Sequence, residues 1–248
     1  MIKKIALTGV LALGLTVSLP SVAFDLSKAI GAAGSVFQAA TLTDGQVKAY
    51  ATQMALQSDK TNSVAPASSA YGKRLARIIK GWQNTDGLKL NFKVYQNKEV
   101  NAFAMADGTV RLNTGLLDMM TDDEVRFVLG HEIGHVKLGH SKSQLTKSLL
   151  TSAVIQGAAS TSGSVGQLAD GQLGGLLEQF ANAQFSQSDE SAADAYGLQL
   201  LTAKKVNPQA AVSALDKLAS LGDSGGLMSS HPSSKKRADN IRKQIGKM

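Results

Sequence analysis

The sequence predicts an α+β fold that is mainly helical, with a small, mainly antiparallel sheet beside one central helix. Residues 88–94 alternate between apolar and polar side chains, as half-buried strands do, and Asp107-Gly108 is a turn signal between two further strand-like segments. Apolar residues recur at helical spacing in 71–82 and again after Thr121. With 248 residues, 43% of them hydrophobic, the chain can bury one sizeable core.

The N-terminus has the pattern of a secretory signal peptide over residues 1–23. Lys3 and Lys4 precede an apolar run over 5–19, and Ser21-Val22-Ala23 has the small residues of a cleavage site. The run is shorter than the roughly 20 residues that span a bilayer. We therefore expect cleavage and export, with a retained signal anchor as the alternative.

The residue composition restricts the compartment and the partners. Cysteine is absent, which excludes disulfides, cysteine metal ligands and a lipid-modified N-terminal cysteine. We expect a soluble exported protein that is not a lipoprotein, periplasmic in a bacterium with two membranes. The net charge is +7, and basic residues concentrate near the C-terminus without interleaved aromatic residues. This pattern favours a solvated face or peripheral contact with an anionic membrane over nucleic-acid binding.

Two further segments surround the predicted sheet and central helix. Residues 24–65 form an N-terminal helical segment, which we expect to pack on the main domain at 66–248. A prosegment or a partner-docking arm is the alternative for the N-terminal segment. Within the main domain, residues 141–185 read as a flexible insertion with a helix, a Gly/Ser-rich turn and a second helix. A mobile lid, a membrane-contacting arm and simple scaffolding all remain open for this insertion.

The predicted sheet has three strands, at Leu88–Val94, 101–105 and 109–113. Asp107-Gly108 joins the last two as a hairpin. The segment Asn101, Ala102, Phe103 and Ala104 is the candidate for an exposed edge, where an extended peptide can add as another strand. An ordinary core strand is an equally good interpretation of these four residues.

The central helix carries the most informative motif, His131-Glu132-Ile133-Gly134-His135. A capping box from Thr121 to Glu124 predicts where this helix begins. Two histidines four residues apart project from one helical face. Neutral imidazoles suit Zn²⁺, and Glu132 is placed to take a proton from a metal-bound water. We expect hydrolysis of amide bonds, with a structural histidine pair as the alternative.

A catalytic zinc usually takes three protein ligands, so the motif needs one more. His140 is rejected because on a continuing helix it lies about 180° from His131, unless the helix breaks at Gly139. Glu190 is the better candidate, since small residues around it allow its helix to approach the motif helix closely. Asp194 shares the face of Glu190 and is placed to accept a ring N–H from a ligating histidine. An exposed pair of helical carboxylates is the alternative for both.

Taken together, the motifs H-E-I-G-H, E-S-A-A-D, N-A-F-A and His231-Pro232 carry a family resemblance. Over about residues 40 to 245 the chain resembles the gluzincin metallopeptidase family of the CAAX prenyl protease and HtpX. Within that family it is most similar to the small periplasmic LoiP-type (YggG-type) members. It departs from them in lacking a cysteine for lipid attachment, and from HtpX-type members in lacking membrane-spanning helices.

The resemblance implies a zincin-like metallopeptidase domain with one Zn²⁺ per chain, and it implies three classes of site residue. The implied zinc ligands are His131, His135 and Glu190, and Asp194 supports a ligating histidine. The implied catalytic residues are Glu132 as general base and acid, with His231 and Arg237 lining the site, where such groups stabilise an oxyanion.

These expectations combine into a periplasmic zinc endopeptidase that hydrolyses peptide bonds of misfolded or envelope proteins. The partners are then protein or peptide substrates, with possible peripheral membrane contact and no nucleic acid. A periplasmic chaperone or assembly factor with a latent protease site is the alternative, and a zinc hydrolase for non-peptide amides fits the same ligands. The sequence leaves the oligomeric state open.

Overall fold

The computed structural model describes residues 42–156, 168–222, 226–231 and 234–248. The predicted signal peptide and the first part of the N-terminal segment lie outside these residues. The described helices are α1 (Asp44–Thr61), α2 (Ala70–Ile78), α3 (Thr114–Met119), α4 (Asp122–Lys137), α5 (His140–Gln156), α6 (Asp170–Asn182), α7 (Gln187–Ala203), α8 (Gln209–Ser220), α9 (Leu227–Ser230) and α10 (Ser234–Ile245). The described strands are β1 (Asn84–Thr85), β2 (Leu88–Lys89), β3 (Asn91–Tyr95), β4 (Ala102–Ala104) and β5 (Thr109–Asn113). The predicted α+β, mainly helical architecture is confirmed.

The larger sheet has the strand order β3-β5-β4, and β1 and β2 form a separate antiparallel hairpin. The predicted hairpin at Asp107-Gly108 is present as β4 and β5, which pair antiparallel. Gly108 adopts φ +91°, which favours glycine, and its amide donates to the carbonyl of Met105 at 3.0 Å. The stretch 88–94 is divided into β2 and β3, and β3 runs parallel to β5. Among the described strands, β4 therefore lies at an edge.

Helix α4 begins as the capping box predicts. The side chain of Thr121 accepts from the amide of Glu124, and the Glu124 carboxylate accepts from the amide of Thr121. The helix ends at Lys137, and Gly139 follows with φ +80°. A glycine in this left-handed conformation commonly terminates a helix. Helix α4 is mostly buried, so its functional side chains are held inside the molecule.

Helices α4 and α7 approach closely where two glycines face each other. A Cβ atom on Gly130 would lie 3.1 Å from the Cα of Gly197, and a Cβ on Gly197 would lie 3.0 Å from the amide nitrogen of His131. Side chains larger than hydrogen would force the helices apart. The small residues predicted around Glu190 thus set the spacing between the two helices that carry the histidines and the carboxylates.

The buried apolar residues form two clusters. The main cluster joins the sheet with α2, α4, α7, α8 and α10. The second cluster joins α1, α5 and α6 with Met105 of the sheet region, and its members are Val47, Ala51, Met54, Ala55, Met105, Leu145, Leu173, Leu176 and Phe180. The described parts of the N-terminal segment and of the insertion therefore share one core. No helix in the described ranges is long and apolar enough to cross a membrane.

Helix α1 is also fixed to the sheet by a polar network around Asp59. The buried guanidinium of Arg111, on the central strand, donates to the two Asp59 oxygens at 2.8 and 3.0 Å. Lys93 and the hydroxyl of Tyr95 each donate to the same carboxylate at 2.7 Å. Burial works to raise the pKa of Asp59, but these donors outweigh it and lower that pKa to about 2. The network holds α1 against the sheet beside the functional site.

Candidate metal centre

Four buried side chains converge between α4, α7 and the segment after α9. His131, His135, Glu190 and His231 each offer one ligand atom, and these atoms all lie within 4.8 Å of one another. The Nε2 atoms of His131 and His135 are 3.0 Å apart, and Nδ1 of His231 lies 2.8 Å from Oε1 of Glu190. Imidazole nitrogens with one carboxylate are a donor set typical of zinc and related transition metals.

The protonation states of this group suit a divalent cation. Burial lowers the pKa of His135 to about 2, which keeps the imidazole neutral. Burial works to raise the pKa of Glu190, but the charge of His231 and the contacts of the carboxylate with the rings of His135 and His231 lower it, so the carboxylate is ionised. Oε2 of Glu190 has no hydrogen bond within the described residues, although it is ion-paired with Arg237. A buried carboxylate oxygen of this kind fits a metal ligand.

Glu132 lies beside this group without belonging to it. Its Oε1 atom is buried without a hydrogen-bond partner in the described part of the chain, and lies 3.6 Å from Nε2 of His231. Burial raises the pKa of this carboxyl, against the lowering effect of the nearby His231 and His131. A carboxylate with a raised pKa accepts a proton more readily near neutral pH. The position and the environment of Glu132 both suit a general base.

Asp194 and Arg237 form a buried pair behind His131. Oδ1 of Asp194 lies 2.9 Å from Nδ1 of His131, which is within hydrogen-bonding distance of the ring. Arg237 donates to both oxygens of Asp194, at 2.8 and 2.7 Å, and is ion-paired with Glu190. Burial works to raise the pKa of Asp194, but the hydrogen bond and charge of Arg237 lower it to about 2. The guanidinium of Arg237 is therefore occupied by carboxylates.

His231 enters the site more deeply than the sequence predicted. The resemblance placed it at the lining, whereas its Nδ1 lies 3.2 Å from Nε2 of His131 and within the group of possible ligands. Burial works to lower the pKa of His231, but the charges of Glu132 and Glu190 raise it. The structure thus offers four donors where the sequence argument required three. No local signal reveals this, because His231 follows a four-residue helix a hundred positions after His131.

His140 is outside the group of four, although the exception named for its rejection, a helix break at Gly139, is present. Helix α4 does not continue to His140, because it breaks at Gly139. The turn brings Nδ1 of His140 to 3.1 Å from Nδ1 of His135, on the side of the ring away from the group. The ring of Phe185, to which no role was assigned from the sequence, stacks on His135 with centroids 3.8 Å apart. Gly139 is the signal that predicts the break.

A cavity of about 350 Å³ opens beside Glu132 and His231. The predicted edge segment Asn101, Ala102, Phe103 and Ala104 lines one wall, and residues of α1 and α6 line the others. Ala102 and Ala104 are buried, and Phe103 is half-buried. The structure therefore brings the predicted edge segment to the same cavity as the predicted general base.

The chain is similar in sequence to known metalloproteases. The model of a family described as peptidase family M48 matches residues 69–245. The chain is 43% identical over 224 residues to metalloprotease LoiP of Escherichia coli, which covers 89% of each chain. It is equally similar, at 43% over 224 residues, to metalloprotease YcaL of the same organism, covering 89% of this chain and 88% of that one. The mitochondrial metalloendopeptidase OMA1 of Arabidopsis thaliana is 31% identical over 157 residues, which are 62% of this chain and 31% of OMA1.

Proposed function

The chain belongs to peptidase family M48 and is a metalloprotease; from that premise we propose that it is a periplasmic zinc endopeptidase. It hydrolyses peptide bonds in misfolded or envelope proteins. The observation that carries this proposal is the juxtaposition of three elements: the buried donor group, a Glu132 oxygen without a hydrogen-bond partner among the described residues, and a cavity lined by an edge strand.

The ligands of the proposed zinc ion are His131, His135 and Glu190, two imidazoles from α4 and a carboxylate from α7. Three protein ligands are the usual number at a catalytic zinc. A bound zinc ion supplies a Lewis acid that polarises the scissile carbonyl and lowers the pKa of a bound water. His231, the fourth donor, contacts both Glu190 and Glu132. We assign His231 a catalytic role, in which its ring N–H stabilises the oxyanion that develops on the scissile carbonyl.

Glu132 moves the proton in this proposal. Its carboxylate takes a proton from the attacking water and passes it to the leaving amine, which balances the hydrolysis. Arg237 was expected to line the site and stabilise the oxyanion. Its bonds to Asp194 and its ion pair with Glu190 favour a different role, in which it fixes the orientation of both carboxylates.

The substrate in this proposal is an extended segment of an unfolded polypeptide. Strand β4 pairs with β5 on one side only among the described strands, so its other side is where a peptide backbone would add. The adjoining cavity has room for side chains and is lined largely by apolar groups, including Phe103, Leu177 and Phe180. Because extended apolar segments are exposed chiefly in unfolded chains, misfolded proteins are the substrates that fit this site.

The periplasmic assignment is supported by the sequence. Residues 1–23 have the charge, the apolar run and the cleavage pattern of a signal peptide, and the chain contains no cysteine that lipid could modify. Detection of a mature protein that begins after Ala23 in a periplasmic fraction tests the assignment. Recovery of the uncleaved chain in the membrane fraction would instead support a retained anchor.

The central test removes the proposed base and leaves the metal ligands in place. We expect Glu132→Gln to keep its zinc while cleavage of an unfolded casein-type substrate falls by about 10²–10⁴-fold, the usual contribution of general acid–base catalysis. Glu99→Gln is the matched control, because it makes the same chemical change at an exposed carboxylate outside the site. Undiminished cleavage by purified Glu132→Gln protein would contradict the assignment. Absence of cleavage by the wild-type chain, together with suppressed client aggregation, would favour the chaperone alternative.

A further inference from the structure

The two ring nitrogens of His135 face different surroundings. Nε2 points to the donor group, 3.0 Å from Nε2 of His131 and 3.4 Å from Oε1 of Glu190. Nδ1 points the other way, and its contact is Nδ1 of His140 at 3.1 Å. His140 in turn presents Nε2 to Oδ1 of Asp189 at 3.4 Å. The three side chains therefore form a row that leads from the outside of the site to a proposed metal ligand.

The hydrogen bonds along this row of side chains are mutually consistent only if each imidazole carries its proton on one particular nitrogen. A neutral imidazole carries one N–H and one lone pair, and the lone pair of a ligating nitrogen must face the metal. If Nε2 of His135 is the ligand, its proton is on Nδ1 and needs an acceptor. His140 provides that acceptor when its own proton is on Nε2, which is the nitrogen that faces the Asp189 carboxylate.

We propose that His140 is a positioning residue for the metal centre. It accepts the Nδ1–H of His135 and thereby selects the tautomer and ring orientation in which Nε2 of His135 binds the metal. Partners of this kind raise the affinity of a metal site, because they remove the need to reorganise the ligand on binding. The inference rests on the proposed metal centre, and it gives His140 a role other than that of a ligand.

The local backbone is what makes this contact possible. Gly139 turns the chain with φ +80°, so that His140 begins α5 beside the end of α4. The stacked ring of Phe185 covers one face of His135, with the two ring planes inclined by 27°. Phe185 restrains the tilt of the imidazole, but its side chain offers no hydrogen-bond acceptor. His140 instead contacts the edge of the ring at Nδ1 and not at Nε2.

Two substitutions separate the acceptor from the bulk of the His140 side chain. His140→Asn keeps an acceptor oxygen near the position of Nδ1, and His140→Leu keeps much of the bulk without an acceptor. The measurement is the zinc affinity of the metal-free full chain by chelator competition, with thermal unfolding by circular dichroism as a check on folding. We expect His140→Leu to bind zinc about 10–100-fold more weakly than wild type. His140→Asn retains most of the affinity, and so does the control Lys147→Leu, at an exposed position on the same helix.

A His135→Ala chain separates failure of this inference from failure of the metal centre. If His135→Ala binds zinc as tightly as wild type, the proposed centre itself is wrong. If His135→Ala loses zinc but His140→Leu binds it like wild type, only the role of His140 is overturned. Equal weakening in His140→Asn and His140→Leu would also overturn it, because the ring and not the acceptor would then matter.

Discussion

The two histidines of the H-E-I-G-H motif are supported in different ways, although they lie on one helix and four residues apart. His131 is supported by the buried, charged pair of Asp194 and Arg237. His135 is supported by the stacked ring of Phe185 and by His140. The side chains of His131 and Asp194 are both 4% exposed, whereas those of His140 and Asp189 are 15% and 37% exposed. We refer to Asp194 with Arg237 as the buried support, and to His140 with Asp189 as the outer support.

Orienting a ligating histidine therefore has different energetic consequences at His131 and at His135. In the buried support a carboxylate and a guanidinium have left water together, so removal of one leaves the other charge without compensation. In the outer support the partner of the ligand is an imidazole near the surface, so its removal leaves no buried charge without compensation. Disruption of the buried support should therefore damage both folding and metal binding, and disruption of the outer support only metal binding.

The largest effect is expected from Arg237→Met. The substitution leaves Asp194 and Glu190 as buried carboxylates without their cation, and we expect the free energy of unfolding of the metal-free chain to fall by about 3–5 kcal/mol. Urea titration followed by circular dichroism measures it. Arg242→Met is the control, since Arg242 is an exposed partner of Asp216 and Asp239 and should change little. A metal-free Arg237→Met chain as stable as wild type would remove the positioning role and favour the oxyanion role.

Asp194→Asn should give the next largest effect. An amide keeps the shape of the side chain but loses the charge that pairs with Arg237 and orients Nδ1 of His131. We expect about 10–100-fold weaker zinc affinity by chelator competition, together with reduced stability of the metal-free chain. Asp216→Asn, an exposed carboxylate in an ion pair with Arg242, is the matched control. Weaker zinc binding with unchanged stability would show that the buried and outer supports differ less than proposed.

Gly197→Ala tests whether the close spacing of α4 and α7, the helices that carry His131 and Asp194, contributes to stability. The new Cβ would lie 3.0 Å from the amide nitrogen of His131, so we expect overpacking to reduce stability by about 1–3 kcal/mol. Gly175→Ala, on α6, meets nothing within 4 Å and should gain about 0.5–1 kcal/mol from the helix preference for alanine. Urea titration of both chains checks the pair. Equal stability of the two variants would mean that the helix contact relaxes without cost.

The smallest effect is expected from Asp189→Asn, at the end of the outer support. The asparagine oxygen still accepts from the amide of Ser186, so the start of α7 is preserved. We expect a loss of zinc affinity below the roughly tenfold lower limit for a direct supporting partner, with unchanged urea stability. A loss as large as that of Asp194→Asn would show that the outer support is as strongly coupled to the metal as the buried one.

The local features of the fold could be read from the sequence because they depend on neighbouring residues. The capping box at Thr121 fixed the start of the motif helix, and Asp107-Gly108 fixed the hairpin. The small residues near Glu190 indicated a close helix contact, which the structure shows at Gly130 and Gly197. In each case a few adjacent side chains determine the geometry.

The long-range features could not be read in this way. His231 joins the donor group from a segment far along the chain, and no spacing rule connects it to His131. The parallel pairing of β3 with β5 and the shared core of α1 and the insertion depend on tertiary packing. The placement of His140 depends on both a local and a long-range feature. A break at Gly139 was considered from the sequence, but the contact with His135 depends on where the next helix goes.

The position of a bound zinc ion tests the proposed metal centre most directly. Anomalous scattering at the zinc absorption edge, from crystals of the Glu132→Gln chain, locates the metal without reference to activity. We expect one peak per chain, bounded by Nε2 of His131, Nε2 of His135 and the carboxylate of Glu190. No peak at that position in zinc-loaded crystals, or a single peak elsewhere in the chain, would contradict the proposed centre.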